Sequence, residues 1–357
     1  MDVLIRSKTQ IEPSHVDTIN KKNIFHITNG DGAANIIALS TIMGDILPWR
    51  DVLHDGPVPS GLSLAELAKV RARFLAAPAF GGFDKVYQQF VKRDAILQSC
   101  LNYDEIVLWF EHDLYDQLQL LQILDWFSKE DLSNISLSMI CINAFDGVNP
   151  FYGLGQLSPE QMASLFPRRQ RITSNQLDLS KRLWKSFRSP SPTLLEAEIK
   201  NDISSLPFMK SALLRFLEEY PSYQEGINRS EKQILTMIDQ GISKPGKLFA
   251  NHQKLEESPF LGDWGFWLKI SALANCKHPL IKCHPHGEFR LYNGIKPDKP
   301  FLDQQLSLSP HGHAVLAGSE DNIMLNGIDR WLGGVHLYKT NEVWRWNSTL
   351  GKLQNKK

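Results

Sequence analysis

The segment EIVLWFEHDLYDQLQLLQILDWF, residues 105–127, changes from one hydrophobic pattern to another and thereby decides the fold class. Its first part, residues 105–110, is a short and mostly apolar run, which is typical of a buried strand. Its second part, residues 114–127, carries an apolar stripe with helical spacing. A buried strand that leads directly into a helix is the repeating unit of α/β proteins. The segment therefore predicts an α/β domain.

The flanking sequence repeats this alternation. Ser63 and Glu66 have the spacing of a capping box at the start of one predicted helix. Because strands and helices alternate, we predict a Rossmann-like, mostly parallel sheet with flanking helices over residues 23–166. The alternation does not specify the order of the strands. The predicted strands cover residues 23–28, 45–49 and 135–143, and the predicted helices cover residues 33–42, 64–76 and 83–100.

The rest of the chain has a different pattern. Residues 1–22 are predicted to be an N-terminal tail, and residues 167–204 a basic helical linker. Residues 205–357 are predicted to form a mainly helical, winged-helix-like C-terminal domain. This prediction depends on helical patterns that precede a predicted hairpin of residues 280–284 and 288–292.

Composition and length exclude several classes of protein. The chain has 357 residues, of which 42% are hydrophobic and 22% are charged, as in globular proteins. It has no apolar run of about 18 residues, so we expect no contact with a membrane. Its beginning lacks a signal-peptide pattern, and its four cysteines are few for this length. We therefore expect reduced thiols and a cytoplasmic location.

The net charge of zero conceals an acidic half and a basic half. Residues 1–166 carry 12 Lys and Arg against 20 Asp and Glu, whereas residues 167–357 carry 27 against 19. The basic half can contact a polyanion such as nucleic acid. Alternatively, the two halves can dock on each other, and both interpretations stay open. The helix predicted near residues 263–275 is dominated by apolar residues, which argues against sequence-specific reading of DNA by that helix.

Polar clusters follow three of the predicted strands. In an open α/β sheet, ligands bind beyond the carboxyl ends of the strands. If the strands are parallel, these polar clusters meet along one edge of the sheet and form a site there. The clusters are Asn29-Gly30-Asp31-Gly32, Arg50-Asp51 with His54, and Glu111-His112-Asp113.

The first cluster has features of a phosphate-binding loop. Gly30 and Gly32 would let backbone N–H groups approach a phosphate at the start of a helix. The spacing departs from G-x-G-x-x-G, because residue 35 is Asn. Asp31 would repel a phosphate unless a cation lies between them. Asp31 can instead cap the following helix, and both roles stay open.

The acids after residues 105–110 are candidates for metal binding or for acid–base chemistry. Asp113 stands before a helix, where N-capping is the alternative role, and Asp116 follows about one turn later. Clustered carboxylates can hold a divalent metal or provide an acid and a base. Arg50 is the candidate anion binder. His54 and His112 are candidate proton carriers, and packed histidines are the alternative.

Two further segments have two interpretations each. Residues 151–162 contain Gly153 and Gly155 before a helix capped by Ser158, and they form either a loop that closes the same edge or an ordinary turn. The segment 276–286 offers zinc ligands, but it has no C-x-x-C pair, and a hairpin is the favoured interpretation. The candidate zinc ligands are Cys276, His278, Cys283, His284 and His286.

Several stretches resemble a bacterial family known as domain of unknown function 1835. They are HITNGDGAANII, LPWRDVLHDGPVPSGLSLAELAKVRARFLA, VLWFEHDLYDQLQLLQIL and GLGQLSPEQMASLFPRRQ. The stretches SPFLGDWGFWLKISAL and LNGIDRWLGGVHLYKTNEVWRWN resemble the companion region often found behind it. The resemblance covers most of residues 23–347. It implies a bacterial, cytoplasmic protein and no particular reaction, so it assigns no catalytic residues.

The residues themselves lead to two hypotheses. The first is an enzyme, or a degenerate enzyme, that binds or turns over a phosphate-bearing ligand, either a nucleotide or a nucleic-acid end. Its candidate cofactor is a divalent metal. The second is a non-enzymatic regulator or scaffold that contacts DNA or a protein through the C-terminal domain.

The first hypothesis gives each predicted site residue a role. Arg50 binds the anion, and Asp31 and Asp113 hold a metal or act as bases. His54 or His112 carries protons. The candidate catalytic residues are Asp31, His54, Glu111, His112 and Asp113, and the candidate ligand-binding residues are Asn29, Gly30, Gly32, Arg50 and Asp51.

Overall fold

The computed structural model describes residues 3–6, 22–76, 82–292, 294, 296–340 and 342–356. The helices are α1 (Asp31–Leu39), α2 (Leu64–Leu75), α3 (Gly82–Ser99), α4 (Leu114–Phe127), α5 (Pro159–Leu165), α6 (Ser174–Phe187), α7 (Thr193–Lys200), α8 (Met209–Leu217), α9 (Arg229–Asp239), α10 (Pro245–Leu255), α11 (Asp263–Ala274), α12 (Lys299–Asp303), α13 (Pro310–Leu316) and α14 (Asn322–Asn326). The strands are β1 (Ile5–Arg6), β2 (Ile24–Thr28), β3 (Asp45–Pro48), β4 (Gly56–Pro57), β5 (Glu105–Glu111), β6 (Ser136–Ile142), β7 (Gln170–Arg171), β8 (Ile281–His284), β9 (Gln305–Leu308), β10 (Ile328–Gly333), β11 (Val335–Lys339), β12 (Val343–Asn347) and β13 (Lys352–Lys356). Among these described helices, none has the length and apolar character that crossing a membrane requires.

A six-stranded sheet in the order β1-β3-β2-β5-β6-β7 organises the first half of the chain. The inner strands β3, β2, β5 and β6 run parallel to one another, and β1 and β7 add short antiparallel edges. The prediction of a mostly parallel sheet with flanking helices is confirmed. All residues of β5 are buried, which suits a strand that is covered on both faces.

Alternate residues of the strands pack on opposite faces of this sheet. Phe25, Leu108 and Phe110 belong to a core that includes the apolar side chains of α4. Val107 and Trp109 belong to a second core that includes those of α1 and α5. The helices α1 and α4 therefore cover opposite faces, although both begin at the carboxyl ends of strands.

The strand order creates a topological switch point between β2 and β5. From β2 the chain crosses through α1 to β3 on one side, and it returns through α2 and α3 to β5 on the other side. The helices α1 and α4 leave the ends of β2 and β5 toward opposite faces, which is the arrangement that defines a switch point. Ligands of open α/β sheets bind at such a point.

The predicted hairpin of residues 280–284 and 288–292 is wrong. The first strand, β8, pairs instead with β9. The reason is that two side-chain amides satisfy the backbone of the second segment. Asn275 accepts a hydrogen bond from the Phe289 N–H and donates one to its carbonyl, and Gln304 does the same for Arg290. Without this hairpin, the winged-helix-like arrangement is not confirmed.

The two halves of the chain share one hydrophobic core. This core runs from Phe25 in β2 through Trp184 in α6 to Leu353 in β13. In addition, β10 pairs in parallel with β4, where Leu332 lies opposite Gly56. The acidic and basic halves therefore dock on each other. The predicted domain boundaries stay predictions, and most of the predicted tail lies outside the described residues.

Candidate functional site

Three carboxylates meet at the switch point, directly beyond β5. Glu111 is the last residue of β5, Asp113 precedes α4, and Asp116 lies in the first turn of α4. One oxygen from each side chain lies within 4.8 Å of the other two. The three residues are buried, with 4%, 5% and 0% of their surfaces exposed. We refer to Glu111, Asp113 and Asp116 as the carboxylate cluster.

Local hydrogen bonds at the start of α4 position these side chains. Asp113 is the N-cap, and its Oδ1 accepts a hydrogen bond from the Asp116 N–H at 3.1 Å. The alternative role of Asp113 as a cap is therefore confirmed. The side chain of Asp116 turns back toward the strand, where its Oδ1 accepts from the Glu111 N–H at 2.7 Å. The end of a strand, a cap and a first helical turn thus bring the three acids together.

Asn29 joins the carboxylate cluster to the neighbouring strand end. It follows β2 directly, and its Nδ2 donates to Oε2 of Glu111 at 3.0 Å and to Oδ2 of Asp116 at 2.8 Å. Its carbonyl oxygen accepts hydrogen bonds from the Arg50 N–H and the Tyr115 hydroxyl. Asn29 therefore links segments that follow three different strands of the sheet.

Burial raises the pKa of all three acids in the cluster. For Glu111 and Asp113 the pKa rises well above its ordinary value, because burial is reinforced by repulsion from the neighbouring carboxylates. Burial raises the pKa of Asp116 to about 6, although hydrogen bonds from Asn29 and from the Glu111 backbone oppose this rise. Within the described part of the chain, no Lys or Arg pairs with the cluster. Buried negative charge without a counter-ion is unfavourable, so the cluster either holds protons or binds a cation.

The loop that follows β6 covers the cluster. The Leu154 N–H donates a hydrogen bond to Oε1 of Glu111 at 2.5 Å. A Cβ atom on Gly153 would lie only 2.8 Å from the carboxyl carbon of Glu111. Gly155 packs against Gly32 at the start of α1. This segment therefore has both properties that its sequence left open, since it covers the edge of the sheet and also leads into a capped helix, α5.

Arg50 and Asp31 form an ion pair beside the cluster. Nε and one terminal nitrogen of Arg50 donate to the two carboxylate oxygens of Asp31 at 3.0 and 2.5 Å. The side chains are 24% and 37% exposed, so this pair is partly open to solvent. The interpretation of Asp31 as a helix cap is wrong. Asp31 is already the first residue of α1, Gly30 is the N-cap, and the Asp31 carboxylate is engaged by Arg50 instead.

Three other predicted site residues, Asp51, His54 and His112, have partners outside the cluster. Asp51 is fully buried, and Nε of Arg71 donates to its Oδ1 at 3.0 Å. His54 packs edge-on against Phe260, and burial lowers its pKa to about 4. His112 likewise packs edge-on against an aromatic ring of the C-terminal half. These side chains support the core and the contact between the halves, and their predicted roles in ligand binding and proton transfer stay predictions.

Two side chains that contact the site are absent from the predicted set. The sequence could have predicted Asp116 as a site residue, because the N-cap and the residue three positions later lie together at the start of a helix. No sequence pattern predicts that Gln117 contacts the site. Its Nε2 donates to the Glu111 carbonyl at 2.5 Å and lies 3.3 Å from Sγ of Cys141. The Leu154 N–H also has no sequence signal, since a backbone donor is common to almost every residue.

The candidate zinc ligands of residues 276–286 do not form a metal-binding group. In the ranges that the structure describes, the carboxylate cluster is the group of three potential ligands that comes together. Sγ of Cys276 contacts the carbonyl oxygens of Leu273 and His278, and Cys283 is buried in β8. Packing and local contacts therefore account for the positions of both cysteine side chains.

Two cavities differ in their relation to the cluster. A cavity of about 780 Å³ lies in the C-terminal half, where its cations Arg229 and Lys232 are already paired with acids. A cavity of about 340 Å³ lies beside the carboxyl end of β6 and is lined in part by Cys141 and Arg168. The smaller cavity is linked to the cluster through Cys141, which contacts Gln117, and the three residues of the carboxylate cluster line neither of these two cavities.

Together, the fold and the cluster define an α/β protein with a buried acidic site at the switch point of a mostly parallel sheet. Comparison of the sequence with protein-family models gives no match, and comparison with curated proteins gives none either. The resemblance to domain of unknown function 1835 therefore stays a prediction. The geometry of the site is what supports a function.

Proposed function

We propose that this protein binds a divalent cation at the carboxylate cluster and, together with that cation, binds or turns over a phosphate-bearing ligand at the switch point. The ligand class is a nucleotide or the end of a nucleic acid. The observation that carries the proposal is the burial of three carboxylates that have no basic partner among the described residues.

Hydrogen bonding favours a cation over three bound protons. The oxygens of the cluster accept hydrogen bonds from the Asn29 amide and from the N–H groups of Leu154, Glu111 and Asp116. Donors that point at a carboxylate favour its ionised form, which leaves negative charge to be balanced. All candidate ligand atoms are oxygens, and Mg²⁺ and Mn²⁺ prefer such ligands. Asn29 can rotate its amide and offer its own oxygen as well.

Two features beside the cluster suit a phosphate. The N-cap of α1 is Gly30, which has no side chain to cap the first turn, and the positive end of a helix attracts anions. Arg50 supplies a guanidinium group, whose planar fork matches a phosphate. A cation held by the cluster would remove the repulsion between these acids and the ligand.

A cation titration monitored by thermal unfolding tests the metal site. We expect MgCl₂ or MnCl₂ to stabilise the protein in a saturable manner, because a ligand of the folded state raises its stability. The stabilisation should be lost in Asp116→Asn. Asp125→Asn is the matched control, since Asp125 is a buried acid of the same helix that pairs with Lys129. An Asp116→Asn variant that responds like the unaltered protein would contradict the cation site.

The phosphate ligand is tested on protein that is already saturated with Mg²⁺. Inorganic phosphate or a nucleoside triphosphate should then stabilise the protein further, and release of phosphate from the triphosphate would report turnover. If neither compound adds stability, the proposed ligand class is wrong even though a cation binds.

A second proposal gives the protein a non-enzymatic role, in which the basic C-terminal half binds DNA or a protein partner. Exposed cations in and around α6 favour it, namely Arg168, Arg171, Lys181, Arg182 and Lys185. Lys269 of α11 weighs against it, because its Nζ donates to Glu219 at 2.7 Å and is not free to contact bases. An anisotropy titration with labelled duplex DNA at several salt concentrations decides this. Affinity that falls steeply with salt would support DNA binding, and the absence of salt-dependent binding would exclude it.

A further inference from the structure

We propose that Asp31 is an internal competitor for the phosphate. Its carboxylate occupies the guanidinium fork of Arg50 until a terminal phosphate group displaces it. This inference rests on the proposed function and adds a pair of residues that determines specificity. It names the recognised chemistry as a phosphate monoester or inorganic phosphate, each of which carries close to two negative charges.

The carboxylate of Asp31 occupies the guanidinium fork that a phosphate would take. It offers two oxygens to Arg50, one to Nε and one to a terminal nitrogen, which is the bidentate arrangement that phosphate also forms. It also lies in the first turn of α1, where its negative charge interacts favourably with the positive end of the helix. Asp31 therefore resembles an anion bound in the fork of Arg50, at the favourable end of the helix.

The backbone holds Arg50 close to the proposed cation site. Arg50 has a left-handed backbone with φ of 57°, a conformation that costs energy for a residue with a side chain and that is concentrated at functional sites. Its N–H donates to the carbonyl oxygen of Asn29 at 3.2 Å. The side chain of the same Asn29 donates to Glu111 and Asp116. Asn29 thus links the backbone of Arg50 to the carboxylate cluster.

The pair between Arg50 and Asp31 can be exchanged because it is partly exposed. Water reaches both side chains and screens their attraction, so an incoming anion of higher charge can replace the carboxylate. A phosphate diester has a single negative charge and therefore has no charge advantage over Asp31. A monoester has close to two, and it would also bind a cation held by the cluster. The pair thus discriminates in favour of terminal phosphates.

Calorimetric titration of the full-length, Mg²⁺-saturated protein with inorganic phosphate tests this inference. We expect Asp31→Asn to bind phosphate about two- to tenfold more tightly, because a weak competing ion pair has been removed. Arg50→Gln should bind at least about tenfold more weakly, since it lacks the bidentate donor. The double variant should bind no more tightly than Arg50→Gln. Dimethyl phosphate should bind far more weakly than methyl phosphate to the unaltered protein.

Asp84→Asn is the matched control, because Asp84 is an exposed acid in the first turn of another helix, α3. Its phosphate affinity should equal that of the unaltered protein. Asp31→Ser provides a second way to remove the competitor if Asp31→Asn unfolds. A merely structural role of Asp31 predicts the opposite result, since loss of the partner would disorder Arg50 and weaken binding.

The outcomes separate this inference from the proposed function. If phosphate binds but Asp31→Asn binds it equally or less tightly, the competitor role is overturned and the proposed function stands. If Mg²⁺ stabilises the protein but no variant binds phosphate, the inference is overturned while the cation site stands. If Mg²⁺ and Mn²⁺ stabilise none of the proteins, the proposed function fails, and the inference fails with it.

Discussion

Nδ2 of Asn29, at the end of β2, lies 3.0 Å from Oε2 of Glu111, at the end of β5. This hydrogen bond spans the switch point of the sheet and joins residues that are 82 positions apart in the chain. It connects an acidic cluster on one side to the start of α1 on the other side. Because these are the parts that bind a cation and a phosphate in the proposed function, the contact has consequences that can be measured.

Asp113→Asn should stabilise the protein when divalent cations are removed. Asparagine caps a helix about as well as aspartate, so the substitution keeps the hydrogen bond to Asp116 and removes a buried acid whose pKa is raised at a cost in stability. We expect the free energy of unfolding in EDTA to rise by about 1 kcal/mol, as measured by urea denaturation. Asp113→Ala is the control, since it also removes the cap and should lose about 1 kcal/mol relative to Asp113→Asn. A loss of stability in Asp113→Asn would show that the charge is already balanced.

Affinity for Mg²⁺ should increase with pH. Burial raises the pKa of all three acids of the cluster, that of Asp116 to about 6, so protons compete with the cation at low pH. The apparent affinity, measured by calorimetry at a series of pH values, should rise as the pH passes through about 6. Protons should be released on binding, and the heat of binding should therefore depend on the ionisation enthalpy of the buffer. An affinity that is constant across this range would argue against the cluster as the binding site.

Replacement of His54 should weaken the pH dependence of stability. Burial lowers the pKa of His54 from 6.5 to about 4, so the unfolded chain takes up a proton that the folded protein does not. Folding is therefore progressively destabilised as the pH falls from 6.5 toward 4, by up to about 3 kcal/mol. His54→Phe removes this contribution, and the slope of unfolding free energy against pH should decrease in that window. His286→Phe, at an exposed histidine, is the control and should leave the slope unchanged.

Gly153→Ala should disturb both stability and cation binding. The added Cβ would lie 2.8 Å from the carboxyl carbon of Glu111, so the loop must move, and the Leu154 N–H moves with it. We expect a loss of about 1–3 kcal/mol in unfolding free energy and a smaller stabilisation by Mg²⁺. Gly147→Ala is the matched control, because Gly147 also has a positive φ but has open space around it. Equal effects of the two substitutions on Mg²⁺ stabilisation would contradict a role for this loop in the site.

Local patterns in the sequence predicted the structure correctly where that structure depends on residues that are neighbours in the chain. The capping box of Ser63 and Glu66 is confirmed, because both of its hydrogen bonds lie within one helical turn. The strand β5 is confirmed for a similar reason, since a short apolar run requires burial on both faces. The hairpin after β8 is wrong because the choice of a partner strand depended on Asn275 and Gln304, whose amides bind the competing segment.

The sequence by itself therefore determined the α/β class and placed Glu111 and Asp113 beside each other at the end of a strand. It also predicted that Asn29 lies at the same edge, whereas the tertiary structure decided which atoms contact these acids. Asn29 and the Leu154 N–H come from 82 and 43 positions away from Glu111, and Asp31 pairs with Arg50 instead of capping its own helix. The physical reason is that the two kinds of interaction act over different distances along the chain. Helical and strand periodicity report short-range packing, whereas the partner of a buried or charged side chain is set by proximity that arises only once the sheet has assembled.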